Sequence, residues 1–166
     1  LATLDRSLGA KGGMGLVLKK AIAKLESEYD FVLMDCPPVL GVLMVNALAA
    51  SDRIIVPVQT EFLALKGLDR MMKTMEMMKI EQEKQFAYTI VPTMFDKRTK
   101  ASLLAYHKMK ETYGDTVWTG VIPIDTNFRN SSNAQQVPSD YAPSSRGVYA
   151  YKTLLTHLIE KQAVEG

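Results

Sequence analysis

Apolar and polar positions along the chain follow two repeating patterns, which predict helices alternating with strands. Apolar residues recur at helical spacing over residues 16–25, 42–50, 63–80, 101–113 and 146–161. Short apolar runs with polar residues on both sides predict strands over residues 31–34, 54–58, 86–91 and 117–122, the first of them buried. Because helices that link parallel strands cover both faces of the sheet, this order predicts an α/β fold with a parallel sheet and helices on both faces.

Residues 127–145 form a long stretch that shows neither pattern. The stretch is rich in asparagine, glutamine, serine and proline, which favour turns and irregular backbone. Long irregular segments inside compact domains usually have a functional role. We therefore expect a functional surface loop here, with at most one short helix.

Composition narrows the class of protein without deciding its function. A chain of 166 residues, 47% of them hydrophobic, can bury one sizeable core, so we expect a single domain over residues 1–166. No apolar run approaches the roughly 20 residues of a transmembrane helix. The single cysteine, Cys36, excludes a disulfide framework or a zinc cluster within one chain and fits a reducing cytoplasm. A net charge of +2 neither indicates nor excludes nucleic-acid binding.

The first candidate for chemistry is Asp35, which follows the apolar run 31–34. Open α/β sheets bind ligands at the carboxyl ends of their strands, and a carboxylate there suits Mg²⁺, which prefers oxygen ligands. An aspartate in this position more often caps a loop or the next helix. The pattern alone therefore favours the structural interpretation over a metal site.

Further motifs follow Asp35 in a recognisable order. They are Asp35-Cys36-Pro37-Pro38, Ser51 to Glu61, Val91 to Thr99, Val121 to Arg129, and Ser145 to Tyr151. Together they resemble the ParA branch of the deviant-Walker ATPases, which are relatives of MinD, over most of the chain from Tyr29 to Leu158. This resemblance implies a P-loop NTPase-like sheet and makes Asp35 a magnesium-binding residue.

The resemblance also implies roles for other positions. The switch segment, which would respond to the γ-phosphate, contains Cys36, Pro37, Pro38 and Gly41. The residues that would contact the nucleotide base are Thr93, Met94, Pro123, Ile124 and Asp125. The residues that would bind DNA nonspecifically are Arg98 and Arg129.

The DNA-binding role competes with a simpler interpretation, in which these arginines belong to a solvated surface. Basic residues on and before the next helix could extend Arg98 into a strip: Lys97, Lys100, His107, Lys108 and Lys110. After Pro123, where many relatives carry an arginine, this chain has Ile124-Asp125, and we expect Asp125 to repel phosphate. That departure favours a protein cargo over DNA.

The glycine-rich phosphate loop of this family has no counterpart in the sequence. Residues 11–15 read Lys-Gly-Gly-Met-Gly, but Leu16 replaces the lysine of that loop and Val17 replaces its serine or threonine. We therefore expect the intact protein to extend before Leu1 and the 166-residue chain not to hydrolyse ATP. Because the missing strand would leave an inner edge of the sheet unpaired, we expect this chain to be marginally stable or to pair with another chain.

Two functions remain open at this point. The first is an ATPase that dimerises around ATP and Mg²⁺ and, with a ParB-like or other adaptor, positions a DNA locus or a polar protein assembly in a bacterial cytoplasm. The second is a non-catalytic interaction module that keeps the scaffold and binds a partner through residues 127–145 or through the methionine-rich helix over 63–80.

Overall fold

The computed structural model describes residues 17–25, 28–36, 41–82 and 85–165. The chain divides into two compact units, residues 1–54 and 55–166. Most of the described secondary structure belongs to the second unit.

The described elements alternate as the sequence pattern predicts. In chain order they are α1 (Val17–Ile22), α2 (Val42–Ala50), β1 (Arg53–Gln59), α3 (Phe62–Gln82), β2 (Ala87–Thr93), α4 (Lys100–Tyr113), a 3₁₀ turn (Gly114–Thr116), α5 (Asn127–Asn133), α6 (Pro138–Tyr141) and α7 (Arg146–Glu165). The predicted helices over 42–50, 63–80, 101–113 and 146–161 are confirmed within a few residues at each end. The strands predicted over 54–58 and 86–91 are likewise confirmed as β1 and β2.

The parallel sheet of the second unit is built around β2. Strand β1 lies beside it, joined through the helical crossover α3. On the other side, residues 117–123 run parallel to β2, with the Trp118 amide donating to the Ile90 carbonyl at 2.9 Å and the Ile122 amide donating to the Pro92 carbonyl at 2.8 Å. The carboxyl ends of these segments therefore meet at one edge of the sheet.

The strand predicted over 117–122 is not continuous. Its pairing reduces to isolated parallel bridges, Ile90 with Val117 and Phe95 with Pro123. Between them the chain bends at Gly120, where an added Cβ would collide with the Trp118 ring. The buried indole, 3% exposed, takes the space that a regular strand residue would need.

The buried strand predicted over 31–34 is wrong for the structure described. Residues 31–36 lie outside any helix or strand, and the side chains of Phe31 and Leu33 are 61% and 90% exposed. An apolar run becomes a strand only when a neighbouring backbone supplies hydrogen bonds and a surface covers its side chains. The apolar pattern gives the propensity for a strand but not those neighbours.

The loop predicted over 127–145 contains more helix than expected. It carries the two short helices α5 and α6, not at most one. Pro138 opens α6 at a position where its missing N–H costs no hydrogen bond. The polar composition indicated turns correctly but could not exclude single helical turns.

The second unit has its core on the α7 side of β2. Val91, Trp118 and Ile122 pack there against Ala150 and Leu154 of α7. The helix α3 also buries one apolar face through Leu68, Met75 and Met78, while Met77 is 59% exposed. Within the described ranges, no helix combines the length and apolar character needed to cross a lipid bilayer.

Candidate functional site

Two loops meet at the carboxyl edge of the sheet in the second unit. The loop after β2 and the loop after Ile122 are joined by backbone hydrogen bonds: the Phe95 amide donates to the Ile122 carbonyl at 3.0 Å, and the Ile124 amide donates to the Phe95 carbonyl at 3.3 Å. These bonds extend the parallel pairing past the end of β2. We call residues 94–98 and 122–127 the paired loops.

A buried hydroxyl pair holds the first of the paired loops. The Thr60 and Ser102 hydroxyls lie 2.6 Å apart, and both residues are almost fully buried. The Thr60 hydroxyl also lies 3.3 Å from the Met94 carbonyl, to which it can donate, while the Ser102 hydroxyl accepts from the Asp96 amide at 3.1 Å. Met94 has a left-handed φ of 52°, which a residue other than glycine adopts at some cost, so these contacts stabilise a tight turn.

Asp96 and Arg98 form a bidentate ion pair within the first loop. The Arg98 guanidinium donates from Nε to Asp96 Oδ1 at 2.9 Å and from Nη2 to Asp96 Oδ2 at 2.8 Å. This side-chain contact, more than any other, lowers the pKa of Asp96 to about 2 and raises the pKa of Arg98. The Arg98 side chain remains 82% exposed, so it reaches solvent with part of its charge offset.

Asp125 links the second paired loop to the start of α7. Its Oδ1 accepts from the Asn127 amide at 3.0 Å, and its Oδ2 accepts from the Gly147 amide at 2.8 Å. The bond from Gly147, followed by the bond from Asn127, lowers the pKa of the Asp125 carboxyl. The two backbone donors orient the carboxylate and favour its charged form, so its negative charge remains beside the second paired loop.

Two surface clefts open beside the paired loops. The first has a volume of about 340 Å³ and is lined by Phe95, Asp96, Lys97, Arg98, Val121, Pro123, Ile124 and Arg146. The second, about 460 Å³, is lined by Arg98, Ile124, Asp125, Thr126, Asn127, Ser144, Ser145 and Arg146. Both clefts combine apolar contact area from Ile124 with the guanidinium groups of Arg98 and Arg146, and each also contains one carboxylate, Asp96 in the first and Asp125 in the second.

Arg146 was not assigned a role from the sequence. It lines both clefts although it lies 48 residues after Arg98 in the sequence. Its place in the motif Ser145 to Tyr151, at the start of α7, was the signal available in the sequence.

The structure brings together some of the predicted nucleotide-contacting residues. Pro123, Ile124 and Asp125 line the clefts, and so does the DNA-binding candidate Arg98. Thr93 ends β2 and Met94 is half exposed in the following turn, but neither lines a cleft.

Arg129 lies elsewhere on the same unit. It is exposed on α5 and lines neither cleft.

The predicted basic strip is partly engaged in internal contacts. Lys108 forms an ion pair with Glu111 at 3.0 Å on α4. Lys110 donates to the Val117 carbonyl at 2.8 Å. Lys97 and Lys100 are exposed, whereas the side chains of Arg98, Lys108 and Lys110 are held by contacts within the protein.

The predicted metal and switch residues belong to the first unit. Asp35 and Cys36 are exposed, and Gly41 precedes α2 in an extended conformation with φ of −155°. Pro37 and Pro38 lie outside the described residues. In the part of the chain that the structure describes, no three His, Cys, Asp or Glu residues are grouped so as to hold a metal by themselves.

Comparison with known proteins agrees with these observations. The family model of the AAA domain matches residues 1–88, just over half of the 166-residue chain. The chain belongs to the ParA/MinD-type family of partitioning ATPases. The resemblance found in the sequence motifs is thereby confirmed, as is the α/β fold class.

Relatives of this ParA-type chain include chromosome-partitioning proteins. The sporulation initiation inhibitor protein Soj of Bacillus subtilis is 33% identical over 138 residues, which are 82% of this chain and 54% of that protein. The chromosome partitioning protein ParA of Caulobacter vibrioides is 30% identical over 165 residues, 98% of this chain and 62% of that protein. The chain thus spans about half the length of the curated relatives it matches.

A solved structure gives the same result for the ParA-type fold. Cobyrinic acid a,c-diamide synthase from Mycobacterium smegmatis, determined with bound ADP and magnesium, superimposes with a TM-score of 0.79 at 28% identity. The match covers 99% of this chain and 61% of that structure.

Proposed function

We propose that this chain is part of a ParA-family ATPase that dimerises in the presence of ATP and so partitions or positions a cargo in the bacterial cytoplasm, at the nucleoid or a cell pole. The observation that carries the proposal is the meeting of the paired loops at the carboxyl edge of a parallel sheet, where open α/β folds bind ligands. Family membership supports the partitioning role, and the structure of a relative with bound ADP and magnesium supports nucleotide binding.

In this proposal the paired loops bind the nucleotide base. The Pro123 and Ile124 side chains supply apolar contact area, and Ile124 is 42% exposed and so available to a ligand. We assign the same role to Thr93 and Met94, which end the neighbouring strand. The switch role remains with Cys36, Pro37, Pro38 and Gly41.

Asp35 is proposed to orient Mg²⁺. Mg²⁺ keeps most of its waters and needs one or two carboxylates beside the nucleotide phosphates, so a single exposed aspartate fits it without a cluster of ligands. The ion would offset the negative charge that develops on the phosphate oxygens. Since the 166 residues contain no lysine-bearing phosphate loop, we propose that this chain alone is inactive and that hydrolysis needs a longer protein.

ATP-dependent dimerisation can be tested by sedimentation velocity on a longer version of the protein that includes a phosphate loop. We expect a doubling of mass with ATP and Mg²⁺, and a monomer with ADP and Mg²⁺, because the γ-phosphate would order the switch segment. Equal mass in both conditions would contradict the dimer. Failure to bind either nucleotide would instead favour a non-catalytic interaction module.

DNA is one proposed cargo, with a ParB-like or other adaptor protein as a further partner. Replacing Arg98 and Arg129 together with glutamate is expected to lower ATP-dependent retention on a nonspecific duplex by about tenfold or more, since lost phosphate contacts reduce affinity at every sequence. Retention on immobilised DNA at two salt concentrations measures this effect.

A matched control for the DNA experiment lies on α3. Arg70 and Lys73 are exposed there and line neither cleft, and changing both to glutamate alters the net charge equally. If the Arg98 and Arg129 variant and this control retain DNA equally well, the two arginines have no special part in DNA binding, and a protein cargo becomes the better proposal.

A further inference from the structure

We propose that Asp125 is a positioning residue, which fixes the second paired loop against the start of α7 and thereby sets where Pro123 and Ile124 meet a nucleotide base. This inference rests on the proposed nucleotide-binding function. It assigns to Asp125 an internal structural contact in place of direct contact with a ligand.

The Asp125 carboxylate bridges two segments of the chain. One oxygen accepts from Asn127, two residues ahead, and the other accepts from Gly147, 22 residues away in sequence. A side chain that bonds two backbone donors from different elements restrains both of them. The amide of Gly147 lies in the first turn of α7, where backbone N–H groups have no partner within the helix.

Side chains also pack closely around Gly147. An added Cβ on Gly147 would collide with the Phe128 ring and lie 3.1 Å from the Asp125 Cβ. The Phe128 ring in turn packs against Tyr151 of α7, with ring centroids 5.5 Å apart. Gly147 therefore lies directly against the side chains of Phe128 and Asp125, and the Asp125 bonds form in a tightly packed contact.

Hydrogen bonds also hold the opposite side of the second paired loop. Backbone bonds between Phe95 and residues 122 and 124 fix the loop to the extension of β2. Pro123 lies between the two bonded residues, and Ile124, itself bonded to Phe95, directly precedes Asp125. Releasing Asp125 would leave the loop held from one side only, so the cleft wall formed by Ile124 could shift.

The test compares ATP with a ligand that lacks the base. In a longer protein with a phosphate loop, Asp125→Asn is expected to weaken ATP affinity about tenfold because asparagine has one acceptor oxygen and can keep only one of the two bonds, from Asn127 or from Gly147. The affinity for magnesium tripolyphosphate, which has no base, is expected to change less than twofold. Titration calorimetry measures both ligands.

The control variant is Asp140→Asn, which makes the same charge change on the exposed face of α6 and should leave both affinities unchanged. Faster hydrogen exchange of the Gly147 amide or the Asn127 amide in Asp125→Asn, measured by NMR without nucleotide, is also expected. Unchanged exchange, or equal losses for ATP and tripolyphosphate, would overturn the positioning role.

The two levels of the proposal can fail separately. If the unaltered protein binds ATP and Asp125→Asn binds it equally well, Asp125 does not position the base loop although the nucleotide site stands. If the unaltered protein binds tripolyphosphate but gains nothing from the base, the paired loops do not contact a base, and the inference falls with that part of the proposed function.

Discussion

Replacing Asp35 with alanine is expected to lower ATP hydrolysis at least about 100-fold in a longer protein that includes a phosphate loop. The reason is electrostatic, because a carboxylate that orients Mg²⁺ contributes to the transition state, where charge builds on the phosphate oxygens, and each 1.36 kcal/mol lost there slows the reaction about tenfold. Phosphate release under saturating ATP and Mg²⁺ measures the change.

The control for this experiment is Asp30→Ala. Asp30 lies five residues before Asp35 and is likewise exposed, so it tests the general effect of removing a carboxylate from this segment. We expect it to retain most of the activity. Similar losses in both variants would remove the specific magnesium role from Asp35. Hydrolysis by the purified 166-residue chain that disappears in Asp35→Ala would instead contradict the proposal that this chain alone is inactive.

Replacing Gly147 with alanine is expected to have the largest effect on folding stability. The new methyl group would collide with the Phe128 ring at the start of α7, and both the ring and the helix are fixed by neighbouring contacts. Overpacking of this kind costs about 1–3 kcal/mol, and loss of the adjacent Asp125 bond would add about 1 kcal/mol. A change in the denaturant midpoint of the 166-residue chain measures the loss.

The chain contains a matched control, a second glycine whose replacement is expected to raise the folding stability. Gly67 lies inside α3, and an added Cβ there meets no atom within 4 Å. Because alanine favours a helix interior over glycine, Gly67→Ala is expected to stabilise the protein by about 0.5–1 kcal/mol. If Gly147→Ala is as stable as the unaltered chain, the packing between Phe128 and α7 is looser than the structure indicates.

A second variant separates the steric cause from a general intolerance of change at Gly147. Truncating Phe128 to alanine removes the ring that the new methyl group would meet, and it carries its own cost. Adding Gly147→Ala to Phe128→Ala is therefore expected to cost much less than adding it to the unaltered chain. An equal cost in both backgrounds would exclude the ring as the cause.

The sequence predicted the regular elements well where local pattern and tertiary structure agree. The helix over 42–50 has the predicted ends, and strand β1 extends the predicted 54–58 by one residue at each end. β-branched residues favour strands and helical spacing of apolar residues favours buried helix faces, so these elements carry their own signals. The order of the motifs also identified the ParA-type family, which the comparisons confirm.

The apolar patterns predicted strands incorrectly where strand formation depends on neighbouring segments of the fold. Residues 31–34 have an apolar pattern typical of a buried strand, yet Leu33 is 90% exposed. Residues 117–122 run alongside β2, but they do not form a continuous strand. An added Cβ at Gly120 would collide with the Trp118 ring. A strand needs backbone partners and a covering surface, and neither is written in the segment itself.

What the sequence by itself determined is the alternation of helices and strands, the family, and a set of candidate residues. Only the tertiary structure showed that Asp96 pairs with Arg98, that Arg146 lines the clefts, and that Asp125 is bonded to Gly147. Hydrogen bonds and ion pairs depend on distances of a few ångströms between atoms. Asp125 and Gly147, 22 positions apart, reach such a distance only when the fold brings the loop and α7 together, so this contact could not be assigned from the sequence.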